Sequence, residues 1–207
     1  MNRRTAIPAF SGILAPVVMV GLWTIASFLR PGYNQLTQRG SELGTGPNSI
    51  VMNANFVITG LLIIVLFIGL IENLHGGFWS TTGAVFLGVG GCGEVLVAVF
   101  PCEAGCPLVG STSQLVHSFI AAVFFGSIAG APLLVAFGLD RDLFWKPYQR
   151  YSLLTGVLSI AGFTGFSWAV LASYQYAGLI QRLYLAAPFQ WIGIMANRLR
   201  SFEGTAR

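Results

Sequence analysis

Six stretches dominate this sequence, each close to the ~20 apolar residues that an α-helix needs to cross bilayer hydrocarbon at ~1.5 Å per residue. They are Ile7–Leu29, Ile50–Ile71, Phe78–Phe100, Gln114–Leu139, Ser152–Tyr174 and Ala177–Asn197. All are continuously apolar and lack the alternation of a membrane-barrel strand. The expected fold is therefore all-α, a polytopic membrane protein in which residues 1–207 form a single bundle of six transmembrane helices. The composition agrees: only 9% of the chain is charged, 55% is hydrophobic, and Phe alone contributes 16 residues. A water-facing surface needs nearer ~25% charge, so a soluble globule, a disordered chain and a disulfide-dense scaffold are excluded. The first stretch follows Arg3 and Arg4 as a signal peptide would, but its apolar run is too long for an h-region. It is expected to be a retained helix.

The net charge of +4 does not point to nucleic acid, because the basic residues sit at the ends of apolar segments rather than along a polar face. They report topology instead. With both termini cytoplasmic, the inner face holds Arg3, Arg4, Arg141, Lys146, Arg150, Arg198, Arg200 and Arg207, against Arg30 and Arg39 outside. That is the positive-inside bias of a multi-pass cell-membrane protein. Loops 30–49 and 101–113 then lie outside. Interfacial anchors are expected at Tyr33, Trp168, Tyr174 and Tyr176 on that side, and at Trp79, Trp145, Tyr148 and Tyr151 on the other. Gly126 and Gly130 form a GxxxG spacing, and five glycines crowd the third helix between Gly83 and Gly93; both patterns suit close helix packing.

Two charges fall within the spans, Glu94 and Arg182. Glu94 lies roughly 9 Å below the outer end of its helix and Arg182 roughly 8 Å below the outer end of its own. An ion within hydrocarbon needs a partner, so these two are expected to meet. Asn53, Asn55 and His117 fall at a similar level. Together the five suggest a polar pocket in the outer half of the bundle, with Arg182 as anion contact and Glu94 as its charge partner. The competing reading is a structural ion pair that fixes helix register.

Cys102 and Cys106 flank Glu103-Ala104-Gly105 in the second outer loop, and an oxidising exterior favours a disulfide between them. Free thiols rank second. A metal site ranks behind both, since zinc normally takes four ligands and the loop supplies two. No nucleophile motif, HExxH or phosphate-cradling loop is present, and His75 and His117 are expected on opposite membrane faces, which removes bis-histidine haem. No cofactor is indicated. Three functions remain: binding or transport of a small molecule or lipid headgroup; a non-catalytic subunit of a larger membrane complex; and an intramembrane enzyme using Glu94 and His117. Membrane lipids, and other membrane-protein subunits in the second case, are the partners these readings imply.

Three stretches carry a family resemblance. Arg30-Pro31-Gly32-Tyr33-Asn34 is followed by Ser41-Glu42-Leu43-Gly44; Phe100-Pro101-Cys102-Glu103 has His117 downstream; and Gly178-Leu179-Ile180-Gln181-Arg182 precedes Trp191 and Arg198. Together they resemble the archaeal and bacterial membrane family catalogued as domain of unknown function 998, which often carries Asp where this chain has Glu103. The resemblance implies a six-helix membrane protein and supplies no reaction. It also draws Tyr33, Ser41 and Glu42 to the outer face, where the long loop is expected to fold over the pocket as a lid.

Overall fold

A computed structural model describes residues 3–202. It contains six long helices: α1 (Arg3–Leu29), α2 (Ser49–Asn73), α3 (Phe78–Val99), α4 (Thr112–Ala136), α5 (Gln149–Leu171) and α6 (Ala177–Arg200). The described residues include no strand. Five of the helices are long and apolar enough to cross a membrane. The sixth, α6, is as long but carries Gln181, Arg182, Gln190, Asn197 and Arg198.

The ends differ from the expected ones by a few residues, for local reasons. The Ser111 hydroxyl accepts a hydrogen bond from the Gln114 N–H, so α4 begins earlier than the apolar pattern does. At the other end of α5, Ser173 takes φ 50°, which reverses the chain before Tyr174.

Each helix packs on the next in the chain, and α6 returns to pack on α1, so the six close into a ring. The ring is filled by Ile63, Leu66, Leu70, Leu87, Ile128, Ile192, Met195 and Ala196, all buried. Its circumference exposes Ile7, Val17, Ile50, Phe119, Leu154 and Leu183, the apolar belt that lipid requires. This is a membrane-protein bundle. Glycine sets a close seam between α2 and α3: a Cβ on Gly60 would stand 2.6 Å from the Gly91 carbonyl oxygen, and one on Gly91 2.9 Å from that of Gly60. The Gly126–Gly130 spacing makes no single seam. Gly126 faces Phe163 of α5 and Gly130 faces Phe86 of α3.

The end carrying connections 30–48 and 100–111 is termed the outer end here, after the orientation expected from the charge count. The inner end is closed by a latch that the sequence pattern did not reveal. Asp142 accepts backbone N–H bonds from His75, Phe144 and Trp145, and the Trp145 indole donates to the Asn73 carbonyl. Trp145 is thus fully buried rather than an interfacial anchor. Arg198 donates to the Phe144 carbonyl and stacks over its ring at 3.7 Å.

Candidate functional site

The α1–α2 connection is a packed structure at the outer end. Its middle, Gly40–Gly44, is a short 3-10 turn with Gly40, Leu43 and Gly44 buried. Glu42 organises the turn: one carboxylate oxygen accepts the Arg39 N–H (2.9 Å) and the other the Gln38 side-chain amide (3.0 Å). Helix α6 then holds it down. Gly40 N–H donates to Gln181 Oε1 (2.8 Å), and Leu179 N–H to the Leu36 carbonyl (2.9 Å). The Arg182 guanidinium donates to the Gln38 carbonyl (3.2 Å) and the Tyr33 hydroxyl (2.8 Å) and lies 4.6 Å from the Trp23 ring centroid.

Tyr33 is accordingly half-buried beneath its own loop, its single hydroxyl hydrogen shared between the Gln38 and Arg39 carbonyls, each 3.1 Å away. Burial pushes its phenol above the ordinary value of 10.0, against the opposing pull of Arg182. A phenol raised on docking favours the docked loop fully below the free-phenol pKa. That contribution is lost as pH rises through the raised value. Tyrosinate titration by absorbance, with Tyr33→Phe as the subtraction, is expected to place Tyr33 above the free value of about 10. A midpoint at or below that value contradicts the buried position.

The α3–α4 connection packs beside this loop. Gln114, in the first turn of α4, stitches it down: Oε1 accepts the Glu103 N–H (2.8 Å), while Nε2 donates to the Pro107 carbonyl and the Ser118 hydroxyl. Cys102 and Cys106 are disulfide-bonded and buried. Cys102 Sγ lies 3.5 Å from the Ser41 carbonyl, and Arg39 reaches across to the Gly105 and Cys106 carbonyls. His117 Nδ1 is 2.7 Å from the Phe100 carbonyl oxygen. A carbonyl only accepts, so Nδ1 carries the hydrogen and Nε2 the lone pair.

Below the two loops lies a cavity of ≈ 320 Å³ between α4, α5 and α6. Its polar rim is Arg39, Ser41, Gln114, His117, Ser118 and Gln181; its walls are Phe125, Phe163, Phe166, Val170 and Leu171. Leu108 and Leu171, at its border, are exposed.

Of the five residues expected to converge, only His117 lines this cavity. Arg182 lines a separate recess of ≈ 260 Å³ between α1 and α6. Asn53 donates to the Gly44 carbonyl, tying α2 to the loop; Asn55 donates to the Met19 carbonyl on α1 and accepts from Thr59. The expected Glu94–Arg182 pair does not form. Glu94 is fully buried in α3 and, among the described residues, neither carboxylate oxygen has a hydrogen-bond partner.

The reason is geometric. Equal depth along two helices does not fix their position around the ring, and α3 and α6 are not neighbours in it. Side chains also lean toward the N-terminus of their own helix. Helix α3 starts at the inner end, so Glu94 leans inward. Helix α6 starts at the outer end, so Arg182 leans outward to the loop.

The pattern missed Arg39, Gln114 and Gln181, which read as loop or span-end polarity. The available signal was spacing: Gln114 is one turn before His117, and Gln181 is adjacent to Arg182. Comparison with curated proteins and with solved structures finds no match. The model of the family described as protein of unknown function DUF998 matches residues 13–198, most of the chain and all three signature stretches, and the chain belongs to that family.

Proposed function

We propose that this protein binds an amphiphilic, lipid-like molecule in the α4–α5–α6 cavity, in a cell membrane with the two long loops outside. The observation that carries this reading is the cavity's division of chemistry. Arg39, Gln114, His117 and Gln181 gather at its loop-covered rim, and Phe125, Phe163 and Phe166 line its depth. A headgroup with acceptor oxygens suits the rim, with Arg39 favouring an anionic one, and an acyl or isoprenoid chain suits the aromatic walls. The exposed Leu108 and Leu171 offer the chain a path from surrounding lipid. The docked 30–48 loop, with Ser41 at the rim, serves as the lid.

Ala122 lines this cavity and Ala186 lines the α1–α6 recess. Ala122→Trp is expected to reduce crosslinking of a photoreactive anionic phospholipid in nanodiscs on the order of tenfold, about 1.4 kcal/mol. Ala186→Trp should leave it unchanged. Equal labelling of both variants and the wild type sinks the reading.

A further inference from the structure

The lipid-binding proposal makes no use of the sulfurs. Cys102 Sγ, Cys106 Sγ and one ring nitrogen of His117 all lie within 4.8 Å of one another, and all three residues are buried. We infer that, once the disulfide is reduced, Cys102, Cys106 and His117 form a three-ligand site for a soft divalent ion of the zinc class. Disulfide and metal are alternative occupants of one site.

Three features beyond proximity support this. First, the His117 ring is held and its tautomer set: Nδ1–H is bonded to the Phe100 carbonyl, which leaves Nε2 as the nitrogen with a lone pair to give. A backbone carbonyl on the second ring nitrogen is the usual outer-sphere partner of a metal-bound histidine. Second, the ligand types suit the ion, since two thiolates and one imidazole are common zinc donors. Two thiolates also neutralise a divalent charge, which a buried site requires. Third, His117 and Cys106 border the cavity, so a fourth position is open to water or a small ligand.

The chemistry balances with a dithiol as reductant. Two electrons pass from the dithiol to the Cys102–Cys106 bond, two cysteine thiols form, and the dithiol closes to its own disulfide. Metal binding then displaces two thiol protons to solvent while neutral His117 supplies a lone pair. The inference stands independently of lipid binding, because its readout is spectroscopic.

The test uses the full chain in nanodiscs, reduced and desalted anaerobically, then titrated with Co²⁺ and afterwards Zn²⁺. The expected result is a thiolate-to-cobalt charge-transfer band with the visible bands of tetrahedral Co²⁺, abolished by Zn²⁺. Neither signal should appear in the oxidised chain. Cys92, the free cysteine in α3, is the control, so Cys92→Ser should bind as the wild type does. His117→Ala should weaken binding at least on the order of tenfold. In the unmutated reduced chain, Zn²⁺ should protect Cys102 and Cys106 from alkylation and leave Cys92 reactive. That measurement depends on no variant's folding. Absence of the charge-transfer band, unprotected Cys102 and Cys106, or His117→Ala binding as tightly as the wild type would each overturn the inference.

Discussion

Arg182→Ala is expected to release the 30–48 loop from the bundle and expose the Arg39–Gly40 bond to trypsin. In the folded protein Arg182 donates to Tyr33 Oη and the Gln38 carbonyl, both on the loop, and its guanidinium rests against the Trp23 ring. Charge-assisted hydrogen bonds to such groups contribute about 1.5–3 kcal/mol each, and a cation–π contact about 0.5–2 kcal/mol. Removing the side chain also leaves the half-buried Tyr33 hydroxyl without one of its partners. Other ties survive, among them Gly40 N–H to Gln181, Leu179 N–H to Leu36, Arg39 to the Gly105 and Cys106 carbonyls and Asn53 to the Gly44 carbonyl, so the net cost is on the order of 2–4 kcal/mol. Cleavage that samples an open state follows that free energy. Cutting after Arg39 should therefore speed up on the order of a hundredfold. Arg182→Lys keeps the charge but lacks the planar fork that reaches two loop oxygens, and should fall between. If Arg182→Ala is cut at the wild-type rate, the loop is held by something other than this guanidinium.

The same residue shows what was legible in the sequence. Helix number and position follow from apolar run length, which the bilayer imposes directly, and five of the six helices meet that test in the structure. The sixth carries more polar residues, but Leu183–Ala187 and Trp191–Met195 remain uninterrupted apolar runs between them. Depth was also legible: Arg182 does lie near the outer end. Direction was not. Which neighbour a side chain meets depends on the order of helices around the ring and on the lean of each side chain toward its helix start, and neither has a periodicity signature. Thus a guanidinium expected to meet a carboxylate on α3 instead meets a phenol and a carbonyl in the loop.

The candidate site was legible in the same partial way. His117, the cysteine pair and the loop residues Tyr33, Ser41 and Glu42 all lie at the outer end of the bundle in the structure. Gln114 and Gln181 carry no such signal on their own, because a single amide near a span end resembles ordinary interfacial polarity. In the fold each ties a loop to a helix. Asp142 and Trp145 were missed because an aromatic beside a basic loop reads as a membrane-interface anchor, whereas here the indole turns inward to the Asn73 carbonyl.

Glu94→Met is expected to raise the apparent melting temperature. Glu94 lies on the α3 face that also carries Gly91, which packs on α2, and Gly90, which borders Ile128 of α4. Whichever protonation state it holds, its oxygens have left the hydrogen bonds of water and found none among the described residues. Leaving such a group unsatisfied costs about 1–3 kcal/mol. Met has similar length and needs no hydrogen bond, so it recovers much of that cost. In a chain of this size each kcal/mol moves the transition by roughly 2–4 °C, so thermal unfolding in detergent, followed by tryptophan fluorescence, should shift upward by several degrees. Glu94→Gln, which stays polar and unbonded, should shift little. The two substitutions together separate bulk from polarity, because both keep the length of the side chain and only Met removes its need for a partner. A Met variant that melts below the wild type would mean that the carboxyl is bonded in the membrane, through water or a ligand held within the ring. Glu94 would then mark a second polar site, deeper than the loop-covered cavity and beyond the reach of Arg182.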